Sequence, residues 1–179
     1  MENLSSLQIV LLKKGVINLQ GNVDGDMFAY VRGCLTLLSL EGNPPIQINI
    51  TSGGGSLNHG LIIYDILRLY PGKKTGTIIG YARSIALIIL QACDKRESTR
   101  HSFSLLHYVS RSESDLDEIE NKKKWENIVK DMRADQQKIY LILKKKTRKP
   151  LSAIVALCKE GRDLSAREAL DFGLIDKII

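Results

Sequence analysis

The chain has 179 residues, of which 44% are hydrophobic and 26% are charged. This balance is typical of a folded protein and excludes a disordered or collagen-like chain. The longest apolar candidate, Ile85–Leu90, is far shorter than the ~20 residues that a membrane-spanning helix needs, and the first residues lack the layout of a signal peptide. We therefore expect a single domain over residues 1–179, in a cytosolic compartment and without a membrane partner.

The net charge of +6 raises the question of nucleic-acid binding. Much of the positive charge lies in two runs, 122–124 and 144–149. The first run is surrounded by acidic residues, which is typical of a solvated helix face. The second is placed near a predicted helix C-terminus, where cations are favoured. Neither run is interleaved with aromatic residues as in single-strand binders, so we expect no nucleic-acid partner.

The three cysteines, Cys34, Cys93 and Cys158, are far apart and odd in number. They form no disulfide framework and no metal-binding pair, and we predict buried, reduced thiols. The three histidines have no second ligand at helical or hairpin spacing, so no metal is expected. Nothing in the sequence indicates a cofactor.

Hydrophobic periodicity predicts strands and helices in alternation. The predicted strands cover residues 7–12, 16–19, 45–50, 75–80, 97–103, 104–109 and 174–179. The predicted helices cover residues 24–40, 57–70, 81–93 and 114–147, followed by a last short helix that a Ser165/Glu168 capping box opens and Gly173 closes. This repeated strand–turn–helix order indicates an α/β fold.

The helix predicted over residues 114–147 is polar on most faces. Its apolar residues recur at spacings of three and four, which gives a single stripe on a long amphipathic helix. Such a helix is longer than one small domain needs. We expect it to project like a handle and to pack on a neighbouring subunit.

Two strand–helix junctions are rich in small residues and are the candidates for chemistry. The first contains Gly53-Gly54-Gly55, whose backbone N–H groups would face an anion or oxyanion above the following helix. Neither of the common phosphate-binding motifs, GxxxxGK(S/T) and GxGxxG, is present. The alternative to an anion or oxyanion site is a tight turn that binds no ligand.

The second junction contains Ser84, directly after a predicted strand. A hydroxyl at the positive end of a helix is placed either to act as a nucleophile or to cap the helix. His107 lies in an apolar segment, as a general base or as a core histidine. Asp163, with Asp171 and Asp176 as alternatives, would orient the imidazole or serve as a loop or capping carboxylate.

Taken in order, four segments resemble the ClpP family, the proteolytic subunit of ATP-dependent Clp proteases, over about residues 15–179. The segments are Thr51-Ser-Gly-Gly-Gly55, Gly80-Tyr-Ala-Arg-Ser84, Leu106-His107, and Arg162-Asp-Leu-Ser-Ala-Arg-Glu-Ala169 with Gly173-Leu-Ile-Asp176. The resemblance implies a ClpP/crotonase-like α/β fold of stacked strand–strand–helix units, with residues 114–147 as the handle.

The resemblance also implies a function: a serine endopeptidase that cleaves unfolded polypeptides inside a self-assembled ring, heptameric in the family. An AAA+ unfoldase or ClpP-like partner subunits are the implied partners, in the cytoplasm or a plastid stroma. By the same resemblance Ser84 is the nucleophile, His107 the general base and Asp163 the residue that orients it. The N–H groups of Gly54 or Gly55 and of Ile85 would form the oxyanion hole.

The chain departs from the family pattern at several points. Gly53 replaces the turn proline and Arg83 replaces a small residue beside the nucleophile. The stretch before Ser165 is shorter, so Asp163 lies closer to that serine. The strand after the histidine is truncated at 109–113, and we expect the family's N-terminal pore loop and first helix to be absent or reduced to residues 1–6.

These departures keep two alternatives open. One is a catalytically inactive ClpP-like scaffold subunit of a Clp complex. The other is a crotonase-type acyl-CoA enzyme, which shares the fold but is disfavoured by the serine–histidine pairing.

Overall fold

The computed structural model describes residues 5–111 and 115–179. Along these ranges helices and strands alternate for most of the chain, as an α/β fold requires. The elements in chain order are α1 (Ser6–Leu12), β1 (Val16–Val23), α2 (Gly25–Leu40), β2 (Ile46–Gly55), α3 (Leu57–Leu69), β3 (Lys74–Arg83), α4 (Ile85–Leu90), β4 (Lys95–Ser98), β5 (Phe103–Leu105), α5 (Leu116–Glu120), α6 (Lys122–Thr147), α7 (Leu151–Glu160), β6 (Asp163–Ser165), α8 (Ala166–Phe172) and β7 (Lys177–Ile178).

The strands form one sheet in the order β1-β2-β3-β4-β7, and β5 pairs with β3 and with β6. All these pairings are parallel except β5–β6. Strand β3 changes partner along its length: 75–78 pair with β4 and 81–83 pair with β5. The second half of β3 therefore carries the chain past β4 towards β5, and Ser84 follows directly. The fold class predicted from the sequence is confirmed.

The core is built around α4, whose six residues are all buried. Strands β1, β2 and β3 supply Ile17, Ile48, Ile50 and Ile78 to the same core, each at most 1% exposed. Burying an aliphatic side chain of this size stabilises the fold by about 1.5–3 kcal/mol. Helix α4 is thus held rigidly, and the residue that begins it is held with it.

The predicted state of the cysteines is confirmed, since all three are free and buried. Burial raises the pKa of the Cys34 and Cys158 thiols to about 11 and that of Cys93 to about 12. They remain protonated at neutral pH and belong to the core.

None of the helices formed by the described residues is long and apolar enough to cross a bilayer.

The prediction of a strand at 7–12 was wrong, because this segment forms α1. Ser5 and Gln8 build a capping box: Gln8 N–H donates to Ser5 Oγ at 3.2 Å and Ser5 N–H donates to Gln8 Oε1 at 2.8 Å. The box satisfies two backbone donors that an isolated strand would leave open. The expected reduction of the family's pore loop and first helix to residues 1–6 falls mostly outside the described residues and stays a prediction.

The predicted long helix is divided in two. The predicted start at residue 114 lies outside the described residues. Helix α5 ends at Glu120, and the next residue, Asn121, caps α6. The Oδ1 atom of Asn121 accepts a hydrogen bond from Lys124 N–H at 3.2 Å. The apolar spacing continues across this junction, which is why periodicity alone predicted one helix. The 26 residues of α6 remain the longest element among those described.

Several observed strands differ in length from the predicted ones for the same reason. A segment joins the sheet only where a neighbouring strand is available to pair with it. Residues 81–83, predicted to open a helix, extend β3 because β5 pairs with them. Residues 106–109, predicted as strand, leave the sheet because β3 ends opposite Leu105. Strand β6 was not predicted, and the terminal strand is limited to 177–178. The predicted strands at 16–19, 45–50 and 75–80 and helices at 24–40 and 57–70 are confirmed with small shifts.

The glycine turn at the end of β2 brings the backbone close to Ser84. Gly54 has φ +97°, and a Cβ built on it would lie 2.8 Å from Ser84 Cβ and 3.0 Å from the Arg83 carbonyl oxygen. Gly53, one residue earlier, has nothing within 4 Å of such a Cβ. A side chain is thus excluded at Gly54 and tolerated at Gly53.

We therefore predict opposite outcomes for two neighbouring substitutions. Gly54→Ala should lower the free energy of unfolding by at least about 2 kcal/mol, because it adds both backbone strain and overpacking. Gly53→Ala should change it by less than about 0.5 kcal/mol. Urea unfolding of both variants at one protein concentration measures this, and equal losses would contradict the close approach described here.

Candidate active site

Ser84 occupies a strained turn between β3 and α4. Its φ of 54° and ψ of −130° lie outside the regions that non-glycine residues ordinarily adopt. Its N–H donates to the Leu105 carbonyl at 2.8 Å and its carbonyl accepts from Leu87 N–H at 3.1 Å. Strain of this kind costs on the order of 1–3 kcal/mol and is concentrated at functional sites.

The Ser84 hydroxyl does not cap the helix. The side chain makes no capping hydrogen bond, and Oγ has no hydrogen-bond partner among the described residues. The capping role that the sequence left open for Ser84 is therefore not observed. The half-buried hydroxyl is available for another partner.

The backbone amides predicted to form the oxyanion hole differ in whether their N–H groups already donate a hydrogen bond. Ile85 N–H, at the first position of α4, has no acceptor in the part of the chain that the structure describes, as expected for the first turn of a helix. Gly54 N–H donates to Ser52 Oγ at 3.1 Å, and Ser52 Oγ in turn donates to the Gly21 carbonyl at 2.6 Å. Gly55 pairs with Val23 in the β1–β2 ladder. At Gly55 the hydrogen bond to the Val23 carbonyl is donated by the next residue, Ser56 N–H, at 2.7 Å. The Ile85 N–H is thus open beside Ser84, whereas the Gly54 N–H is engaged by Ser52.

His107 lies two residues beyond the end of β5 and is half-buried. Its Nδ1 is 2.5 Å from the Tyr108 carbonyl oxygen. A carbonyl only accepts, so Nδ1 carries the proton, and a neutral ring then has its lone pair on Nε2. This is the tautomer that a general base acting through Nε2 requires.

Asp163 lies in β6 opposite Leu105, and its carboxylate binds Arg83. Arg83 Nε donates to Oδ1 at 2.8 Å and Nη2 donates to Oδ2 at 2.6 Å, a bidentate pair. These hydrogen bonds lower the pKa of the Asp163 carboxyl. Within the described residues no hydrogen bond or ion pair joins Asp163 to His107. The role of Asp163 as the acid of a triad stays a prediction.

Ser84 and His107 line a common cavity of about 660 Å³, which also includes Gly53, Gly55 and Ile85. Its remaining wall is largely apolar, with Leu57, Ile88, Leu106, Val109 and Ile139 among the lining residues. No hydrogen bond links Ser84 Oγ to the His107 ring here, and such bonds often tighten only when substrate binds. The cavity is thus lined by a residue with an unbonded hydroxyl, a residue with an imidazole and a residue with an open amide.

Several contacts that hold this site were not predicted from the sequence. Ser52 holds the glycine turn, the Tyr108 carbonyl binds His107, and Asp163 is paired with Arg83 across 80 positions of sequence. The one signal in the sequence that points to this ion pair is Arg83 itself, which replaces a small residue of the family pattern. Main-chain acceptors such as Tyr108 leave no trace in side-chain patterns.

The comparisons with known proteins agree with the fold. The family model described as Clp protease matches residues 2–179. The chain is also similar to the ATP-dependent Clp protease proteolytic subunit 3 of Rhodococcus jostii (strain RHA1), with 29% identity over 174 residues, which cover 94% of this chain and 83% of that protein. A family match along almost the whole sequence shows that this chain belongs to the Clp protease family, a family of serine peptidases.

Proposed function

We propose that the chain is a serine endopeptidase subunit that cleaves unfolded polypeptides within a self-assembled ring. The observation that carries the proposal is the cavity lined by both Ser84, whose hydroxyl is unbonded, and His107, whose Nδ1 faces the Tyr108 carbonyl. Family membership supports the same class of chemistry.

In the proposed reaction, Ser84 Oγ attacks the carbonyl carbon of the scissile peptide bond while His107 Nε2 takes the hydroxyl proton. The carbonyl oxygen becomes an oxyanion, which the Ile85 N–H stabilises from its place next to Ser84. His107 then gives its proton to the leaving amine as the peptide C–N bond breaks. Water, deprotonated by His107, releases the acyl group from Ser84 and restores both residues.

The open face of α1 supports self-association. Leu7, Ile9 and Val10 are 67%, 43% and 58% exposed, although all three are large and apolar. Large apolar side chains exposed close together on one short helix are typical of a surface that another protein covers. We propose that copies of this chain cover this face in a ring, heptameric as the family resemblance implies, with an AAA+ unfoldase or ClpP-like subunits as partners.

One observation favours a second function, that of an inactive scaffold: the Asp163 carboxylate is hydrogen-bonded to Arg83. If a carboxylate is required at His107, the chain would serve as an inactive scaffold subunit beside an active one. The two functions differ in whether the assembled chain, without any other subunit, reacts at Ser84.

Reaction at Ser84 is measured with a fluorophosphonate probe and a fluorogenic peptide, on material whose native mass shows assembly. We expect stoichiometric labelling of Ser84 and peptide hydrolysis. Ser84→Ala should abolish the labelling and lower kcat by about 10⁴-fold or more. Ser152→Ala, an exposed serine of α7, should leave both unchanged. An assembled chain without labelling or hydrolysis would contradict the peptidase proposal and favour the scaffold.

The predicted triad role of Asp163 is measured separately, with Asp163→Asn and Arg83→Gln. Both substitutions disrupt the same bidentate ion pair, but only the first removes a carboxylate charge. Because His107 Nδ1 has another acceptor, the Tyr108 carbonyl, we propose, in place of the triad role implied by the family resemblance, that Asp163 is not required for catalysis. We therefore expect kcat to fall by less than about tenfold in both variants. A loss approaching 10⁴-fold in Asp163→Asn alone is the behaviour of a true triad acid and would overturn this expectation.

A further inference from the structure

The peptide unit between Tyr108 and Val109 is held from both sides. Its carbonyl oxygen accepts the hydrogen bond from His107 Nδ1 at 2.5 Å. Its N–H, on Val109, donates to Gln136 Oε1 at 2.7 Å. Because a peptide unit is planar, fixing the N–H also fixes the direction of the carbonyl. The His107 ring is therefore connected through one rigid plane to a side chain on α6.

The orientation of the Gln136 amide is set by this contact. Val109 N–H is a donor and requires an oxygen, so Oε1 faces it and Nε2 faces away. Gln136 Nε2 is buried without a hydrogen-bond partner in the part of the chain that the structure describes. A buried unpaired donor costs about 1–3 kcal/mol. Glutamine at position 136 therefore lowers the stability of the fold through its unpaired Nε2. The hydrogen bond that its Oε1 accepts from Val109 N–H offers a reason for its presence.

Helix α6 also forms part of the catalytic cavity. Ile139, one helical turn after Gln136, is 5% exposed and lines the cavity that contains Ser84 and His107. Residues three apart lie on the same side of a helix. The packing that places Ile139 in the cavity wall therefore also places Gln136 beside the segment that follows His107.

We propose that Gln136 is a positioning residue for catalysis, which orients His107 through the Tyr108–Val109 peptide. The proposal rests on the proposed peptidase function for its kinetic consequence. Gln136 does not contact the reacting atoms. It holds the carbonyl that holds the imidazole through Nδ1, which leaves the lone pair of Nε2 available.

The kinetic experiment compares Gln136→Met with Gln136→Glu in the assembled protein. Methionine has a similar length and no acceptor, and it removes the unpaired Nε2, so the variant is expected to fold. Its kcat should fall on the order of tenfold or more while KM stays within about twofold, because proton transfer is impaired and binding is not. Gln136→Glu keeps an acceptor oxygen and should retain kcat within about threefold of the wild type.

Gln137→Met provides the matched control. It makes the same chemical change at the next, exposed position of α6 and should leave kcat and KM unchanged. If Gln136→Met keeps the wild-type kcat, or if it raises KM with kcat unchanged, the positioning role is overturned.

A second readout does not depend on activity. Nitrogen-15 NMR of the histidine rings, assigned by comparison with His107→Ala, reports which ring nitrogen carries the proton. We expect the Nδ1–H tautomer of neutral His107 in the wild type and in Gln136→Glu, and a mixture of tautomers in Gln136→Met. An unchanged tautomer in Gln136→Met would refute the proposal even in an active enzyme. A change of tautomer in a chain that hydrolyses no peptide would uphold the positioning role and reject the peptidase function.

Discussion

The hydrogen bond from Ser84 N–H to the Leu105 carbonyl joins the two chain segments on which the site depends. It continues the short parallel ladder between β3 and β5 by one contact, at the point where β3 ends. On one side of it the chain turns into α4 with Ser84 at a positive φ, and on the other it leaves the sheet and reaches His107 two residues later. Without this pairing, nothing in the local sequence would bring a serine and a histidine 23 positions apart into one cavity.

The rest of the fold makes that meeting point rigid. Helix α4 is apolar on all sides and fully buried, so the residue that begins it has little freedom to move. The glycine turn after β2 approaches Ser84 so closely that a methyl group at Gly54 would collide with it. Below the turn, Ser52 links the Gly54 amide to the Gly21 carbonyl and so ties β2 to β1. The Ile85 N–H is open beside the hydroxyl because it belongs to the first turn of α4, where backbone N–H groups have no partner within the helix.

Much of this arrangement was predictable from the sequence, and the exceptions have physical causes. Helices α2 and α3 follow from apolar periodicity and from their capping residues, and Ser84 and His107 stand out through their neighbours. The segment forming α1 was misassigned because six mostly apolar residues fit either structure, and the Ser5–Gln8 capping box was the signal that decides between them. The Arg83–Asp163 ion pair joins residues 80 positions apart and requires the fold to be known. The roles of the Tyr108 carbonyl and of Gln136 arise from the backbone path after β5, which side-chain patterns do not encode.

The proposed chemistry requires that the Ser84 hydroxyl, the His107 imidazole and the Ile85 amide reach one carbonyl group together. A crystal structure of the assembled chain after reaction with a peptidyl phosphonate tests this most directly, because the tetrahedral phosphorus mimics the intermediate. We expect a bond from Ser84 Oγ to phosphorus, a phosphonyl oxygen about 3 Å from Ile85 N, and His107 Nε2 directed at the adduct. An adduct whose oxygen lies away from Ile85 N, or a Ser84 left unmodified while the cavity holds the inhibitor, would contradict the account.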